Sequence, residues 1–194
     1  MSGQLKVTPT DISGVLILEP QVFGDARGFF FESFNQQAFN KATGLDLRFV
    51  QDNHSRSAKG VLRGLHYQAA PHEQGKLVRV VRGSVFDVAV DIREGSPTYG
   101  RWMGLELSED NHRQLWVPPG LAHGFLVTSD SADFLYKATH AYAPSAERCI
   151  RWDDPTLNID WPLTEPPTLS AKDQLGEPFR GTSFQLPHPQ PFQK

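Results

Sequence analysis

The sequence predicts an all-β sandwich of jelly-roll type, with a few short helices. Nine or ten short strand-like runs are separated by turn signals. Thirteen Phe, sixteen Gly and fifteen Pro in 194 residues favour short strands with many turns over a helical bundle. Strands in that number close into a sandwich or barrel, because open sheet edges aggregate. An immunoglobulin-like sandwich would give a similar pattern, but inward polar groups are more natural in a jelly roll.

Residues 15–18 form the first run, closed by Pro20, and residues 28–34 the second. A short helix is expected over 35–44, where Asn35 can cap its start and Gly44 its end. The next strand begins at 47–51. Runs 76–82 and 84–92 look like a hairpin turning near Gly83. In the second arm Phe86, Val88, Val90 and Ile92 share one face, and Val85, Asp87, Ala89 and Asp91 the other. Runs 102–107, 114–117, 123–128, 132–139 and 149–152 complete the series. One domain is expected over residues 1–173. Residues 174–194, rich in Pro and Gln, are expected to form an extended tail on the surface or on a partner subunit.

A net charge of -3 gives no reason to expect nucleic acid or an anionic membrane as a partner. No apolar run approaches the length of a membrane span. The first residues lack a basic segment followed by an apolar one, so no secretion signal is expected. Cys149 is the single cysteine, which excludes an internal disulfide and fits a cytoplasmic location. It is expected to be a small buried hydrophobe.

Residues Gln51 to Gln68 carry the chemistry. They are dense in groups that bear charge or hydrogen bonds, yet sit among strand-like runs. Arg63, His66 and Gln68 belong on strands if one sheet face lines a polar cavity suited to an anionic, hydroxylated small molecule. An exposed, wet sheet face explains the same residues equally well. No His-x-His pair stands at His66, and Cys-x-x-Cys and His-Glu-x-x-His are absent, so no metal is expected. Gly-x-Ser-x-Gly and Gly-x-Gly-x-x-Gly are absent too. What remains is acid–base chemistry by His, Tyr, Lys and Asp, which needs no cofactor. Tyr136 falls on the opposite strand face from Leu135 and Lys137. Taken alone, it reads as a buried aromatic, and Asp173 as a loop acid or turn cap.

Several segments in order carry a resemblance. They include Val22-Phe-Gly-Asp-Ala-Arg-Gly-Phe-Phe-Phe-Glu-Ser33, Phe49-Val-Gln-Asp-Asn-His-Ser-Arg56 and Val61-Leu-Arg-Gly-Leu-His-Tyr-Gln68. Gln114-Leu-Trp-Val-Pro-Pro-Gly-Leu-Ala-His-Gly-Phe125, Phe134-Leu-Tyr-Lys-Ala-Thr139 and Leu169-Ser-Ala-Lys-Asp173 extend the set. From about Val15 to Asp173 the chain resembles the dTDP-4-dehydrorhamnose 3,5-epimerases.

The resemblance implies a cupin-type jelly roll, a homodimer, no metal or organic cofactor, and a dTDP-4-keto-6-deoxyhexose substrate in the route to dTDP-L-rhamnose. It implies that His66 is the general base, Asp173 its carboxylate partner, Tyr136 the proton donor and Lys76 the cation near the C4 oxygen. It implies substrate contacts from Arg27, Glu32, Gln51, Asn53, Arg63, His123, Glu147 and Lys172, with Arg27 and Glu32 able to serve the neighbouring subunit's site. The alternatives are a single-position epimerase or ketoisomerase on the same scaffold, a metal cupin, and a carbohydrate-binding sandwich without activity.

Overall fold

The computed structural model describes residues 4–179. The strands in chain order are β1 (Leu5–Pro9), β2 (Leu16–Pro20), β3 (Phe23–Asp25), β4 (Gly28–Phe30), β5 (Gln51–Ala58), β6 (Leu62–Gln68) and β7 (Lys76–Arg82). They continue as β8 (Ser84–Asp91), β9 (Trp102–Ser108), β10 (Gln114–Val117), β11 (Leu121–Val127), β12 (Ser131–Ala138) and β13 (Glu147–Cys149). Helix α1 (Gln36–Thr43) follows β4, and α2 (Ala171–Gln174) lies near the end of the described chain. None of these helices is long and apolar enough to cross a membrane.

Six strands form one sheet in the order β1-β2-β10-β7-β12-β5, and five form a second in the order β13-β6-β11-β8-β9. The pairings that build both sheets are antiparallel. Strands β3 and β4 make a separate small hairpin. Period-two alternation places the core between the sheets. Val78, Val80, Leu115 and Phe134 of the first sheet meet Val85, Ala89, Leu121, Phe125 and Val127 of the second. The opposite face of β8 presents Val88 and Val90 to an outer cluster with Leu62, Leu65, Ile150, Trp161 and Phe179. The two faces expected for β8 are those observed.

Helix α1 starts at Asn35, whose side chain accepts from the Ala38 N–H at 3.1 Å, and ends at Gly44 in the left-handed region at φ 72. Phe39 anchors it against Leu18, Leu77 and Trp116.

The structure corrects several expectations. β7 and β8 are not a hairpin: β7 pairs with β10 and β12, and β8 with β9 and β11. Gly83, at φ +71, carries the chain from one sheet to the other, and a Cβ there would lie 2.0 Å from the Ser131 carbonyl oxygen. Residues 28–34 yield a strand only over Gly28–Phe30, and the strand expected from 47 begins at Gln51. Strand β1, paired with β2, was not expected. The described part of the expected tail packs on the body. Gln174 completes α2, Glu177 bridges Ile150, and Phe179 is 5 % exposed. The rest of that tail, residues 180–194, lies outside the described residues.

Candidate active site

A cavity of about 300 Å³ opens between the two sheets. Arg63 and His66 of β6, His123 of β11 and Glu147 of β13 line it from the second sheet. Ser55 of β5, Lys76 of β7, and Phe134 and Tyr136 of β12 line it from the first. Lys172 and Asp173 reach it from α2. His66 and Tyr136 therefore enter one space from opposite walls, and alternation along β12 sends Leu135 and Lys137 to the other side of the sheet.

Asp173 is 3 % exposed, and its Oδ1 lies 2.7 Å from His66 Nε2. The Gly64 N–H donates to the same oxygen at 3.1 Å, and Ser170 Oγ donates to Oδ2 at 2.6 Å. Ser170 and Asp173 also cap α2 reciprocally, so the turn that starts the helix holds the carboxylate in place. Burial alone would raise the Asp173 pKa; the bonds from His66, Ser170 and Gly64 overcome it and bring the group to about 2. The ring at position 66 thus faces a permanent anion.

Lys76 is half-buried, and its Nζ lies 3.4 Å from the His66 carbonyl oxygen. Burial pushes it down to about 8, against the pull of Asp87 and Glu147. Tyr136 is pushed up, first by burial and then by Glu147, with Arg63 opposing, so it stays a phenol at neutral pH. On β11, directly across from His66, His123 is 7 % exposed and places Nε2 3.0 Å from both oxygens of the fully buried Asp87. Glu147 Oε2 accepts from Tyr142 Oη at 2.7 Å and from Lys172 Nζ. Arg63 Nε donates to Ser57 Oγ at 3.0 Å. A base with a carboxylate behind it, a phenol on the opposite wall and an ammonium in the same cavity can move protons on and off a carbon bound there.

The family model for dTDP-4-dehydrorhamnose 3,5-epimerase matches residues 9–180. The chain belongs to this family. It is 61 % identical over 175 residues to the dTDP-4-dehydrorhamnose 3,5-epimerase of Pseudomonas aeruginosa, covering 90 % of this chain and 96 % of the relative. The Legionella pneumophila dTDP-6-deoxy-D-glucose-3,5-epimerase, solved with dTDP-4-keto-L-rhamnose, superposes with a TM-score of 0.88 at 53 % identity, over 91 % of this chain and 93 % of that one. A 3′-monoepimerase from Streptomyces bikiniensis, solved with dTDP-quinovose, superposes at 0.84 with 36 % identity, over 89 % and 87 %.

Of the residues expected at an epimerase site, His66, Tyr136, Asp173, Lys76, Arg63, His123, Glu147 and Lys172 line this cavity. Gln51 and Asn53 stand on the inward side of neighbouring β5, joined by a 2.9 Å hydrogen bond, and Asn53 pairs with Tyr136 in register. The Asn53 Nδ2 is buried without a hydrogen-bond partner among the described residues, a donor left for something else to accept. Arg27 and Glu32 are not brought to this cavity. Arg27 is exposed on the β3–β4 turn and paired with Asp25, and Glu32 accepts from Asn35 at 3.0 Å.

Sequence reasoning singled out neither Asp87 nor Ser170. An acid alternating with Val85 and Ala89 on an apolar face was a readable sign of the first. Ser170 three residues before Asp173 was a readable sign of the second.

His66, Cys149 and Asp173 also place one ligand atom each within 4.8 Å of one another. Burial, then the Asp173 and Glu147 carboxylates, pushes the Cys149 thiol up to about 12. At rest it is a protonated thiol, which must lose its proton before it can bind a metal. Cys149 is half-buried, less enclosed than expected.

Proposed function

We infer that the chain epimerises C3 and C5 of dTDP-4-dehydro-6-deoxy-D-glucose, giving dTDP-4-dehydro-L-rhamnose. The observation that carries this reading is the meeting of His66 and Tyr136 from opposed sheets in one cavity that also holds Lys76.

The C4 ketone acidifies the hydrogens on C3 and C5, because the carbanion spreads onto oxygen as an enolate. The substrate thus activates itself, and the chemistry calls for no cofactor. His66 takes the proton, and Asp173 orients the imidazole. The Lys76 ammonium stabilises negative charge that develops on the C4 oxygen only as the proton leaves. The Tyr136 phenol returns a proton to the other face, which inverts the centre. Arg63, Lys172 and the Asn53 Nδ2 suit the charged and hydroxylated parts of the nucleotide sugar.

The protein acts as a homodimer on this reading. Phe29 and Phe30 are 64 % and 69 % exposed on the β3–β4 hairpin, beside Phe23 and Val22. So much apolar surface on a two-stranded hairpin supports an interface, and it would carry Arg27 toward the neighbouring subunit. The lone cysteine and the nucleotide-sugar substrate support a cytoplasmic setting.

The test is incubation with substrate in deuterated water. Deuterium at both C3 and C5 of the product is expected, and exchange at neither carbon ends the reading. Because a 3′-monoepimerase shares the fold, label at C3 alone would assign the single-position activity instead. With Tyr136→Phe, proton loss is expected to outlive completed inversion; equal survival of both removes Tyr136 from the donor role.

A further inference from the structure

Cys149 takes no part in the proton transfers above, yet antiparallel register sets it directly across from His66. Its sulfur, a ring nitrogen of His66 and a carboxylate oxygen of Asp173 converge within 4.8 Å. The His66 Nε2 is buried and lies 2.7 Å from Asp173 Oδ1, and the Cys149 thiol makes a 3.5 Å contact with the Ile150 carbonyl oxygen. We propose that these three side chains form an inhibitory site for a thiophilic divalent cation, Zn²⁺ or Cd²⁺, with solvent in the cavity as the fourth ligand.

A tetrahedral zinc ion with bonds of about 2.0–2.3 Å holds its donors roughly 3.3–3.7 Å apart. The cluster reaches that size by small movements. The His66–Asp173 contact opens from 2.7 Å, and the sulfur closes in. On binding, the Cys149 S–H bond breaks and its proton leaves to solvent, the Nε2 proton of His66 is lost there while Nδ1 takes one up, and the freed sulfur and Nε2 lone pairs form the bonds to the metal. A cation on the imidazole cancels its basicity and locks the ring, so proton abstraction stops. The thiol sets the selectivity: a soft ligand favours zinc and cadmium, whereas magnesium requires oxygen donors.

The inference rests on the epimerase reading for its activity readout only. Chelator-treated enzyme is titrated with Cd²⁺ while thiolate-to-cadmium charge-transfer absorbance is followed, and separately with Zn²⁺ and Mg²⁺ in the deuterium-exchange assay. One equivalent of Cd²⁺ should raise the band, Zn²⁺ should inhibit reversibly, and Mg²⁺ should do nothing. Cys149→Ser and Cys149→Ala, each checked for fold by circular dichroism, should keep basal exchange, lose the band and require at least about tenfold more Zn²⁺. Absence of the band in the unmodified protein, inhibition by Zn²⁺ that is unchanged in the folded Cys149 variants, or equal inhibition by Mg²⁺ overturns the site. A band in a protein that shows no basal exchange upholds metal binding and sinks the epimerase reading instead.

Discussion

Asp173 is charged, enclosed and engaged on both oxygens, and that combination has a signature in pH. Its pKa falls from 3.8 to about 2 on folding. A depressed carboxylate stabilises the folded state above its unfolded value, and the gain disappears as pH drops through the folded value. The ionised form therefore contributes about 2 kcal/mol at neutral pH. That stability should fade from near pH 4 toward pH 2, and Asp173→Asn should flatten this part of a urea-stability profile. A profile of unchanged shape in the variant would place the acid transition elsewhere. Lys76 works in the opposite direction. Burial has brought its pKa to about 8, so its ammonium is lost as pH rises through that value. The kcat/KM of the epimerase should then fall about tenfold per pH unit on the alkaline side. Lys76→Arg keeps a charge at any such pH and should abolish that limb, whereas Lys76→Met should lower kcat by about 10²–10³. An alkaline limb that survives in Lys76→Arg belongs to another group.

Two short connections govern how the elements meet. Gly83 passes the chain from the first sheet to the second in a left-handed conformation, pressed against the Ser131 carbonyl. Gly83→Ala should cost at least about 2 kcal/mol, from φ strain and the backbone clash together, read as a drop in the urea midpoint. A midpoint within error of the parent would show that the crossing tolerates a Cβ. Ser170 caps α2 and binds Asp173 with the same hydroxyl. Ser170→Ala should lower stability by about 1 kcal/mol. It should also reduce kcat more than it raises KM, since it loosens the carboxylate behind His66 and leaves the sugar contacts in place. Loss of stability with kcat intact would confine Ser170 to capping. The alternation in residues 84–92 correctly separated two faces, but a period of two says nothing about which strand lies alongside. That is how a sheet-to-sheet crossing came to look like a hairpin. Helix α1 was legible down to both caps because Asn35 and Gly44 act on backbone groups within one turn.

At the scale of the whole molecule the β3–β4 hairpin is the feature a single chain leaves unaccounted for. Its residues are exposed throughout, including Phe29 and Phe30. If the hairpin forms the proposed dimer interface, Phe29→Glu combined with Phe30→Glu should convert that dimer into a species eluting as one chain; an unchanged elution volume would remove the hairpin from the interface. If Arg27 serves the neighbouring subunit, mixing inactive His66→Ala and Arg27→Ala proteins should restore roughly a quarter of full activity through hybrid dimers with one intact site. No recovery would return Arg27 to its own subunit or remove it from the site.

Composition and alternation, by themselves, determined the β-rich class, the division of β8 into two faces, the short capped helix and the side of β12 on which Tyr136 lies, because each depends on neighbours within a few residues. They did not decide between a polar cavity and a wet sheet face for Arg63 and His66, and they read Asp173 as a loop acid. Only packing settled those matters. Asp173 reaches His66 from more than a hundred residues away along the chain, Asp87 finds His123 across a strand pair, and the chamber exists only because two sheets close over it. Contacts between groups so distant in sequence leave no periodic trace, since their geometry is set by the register and stacking of strands and not by spacing along one of them.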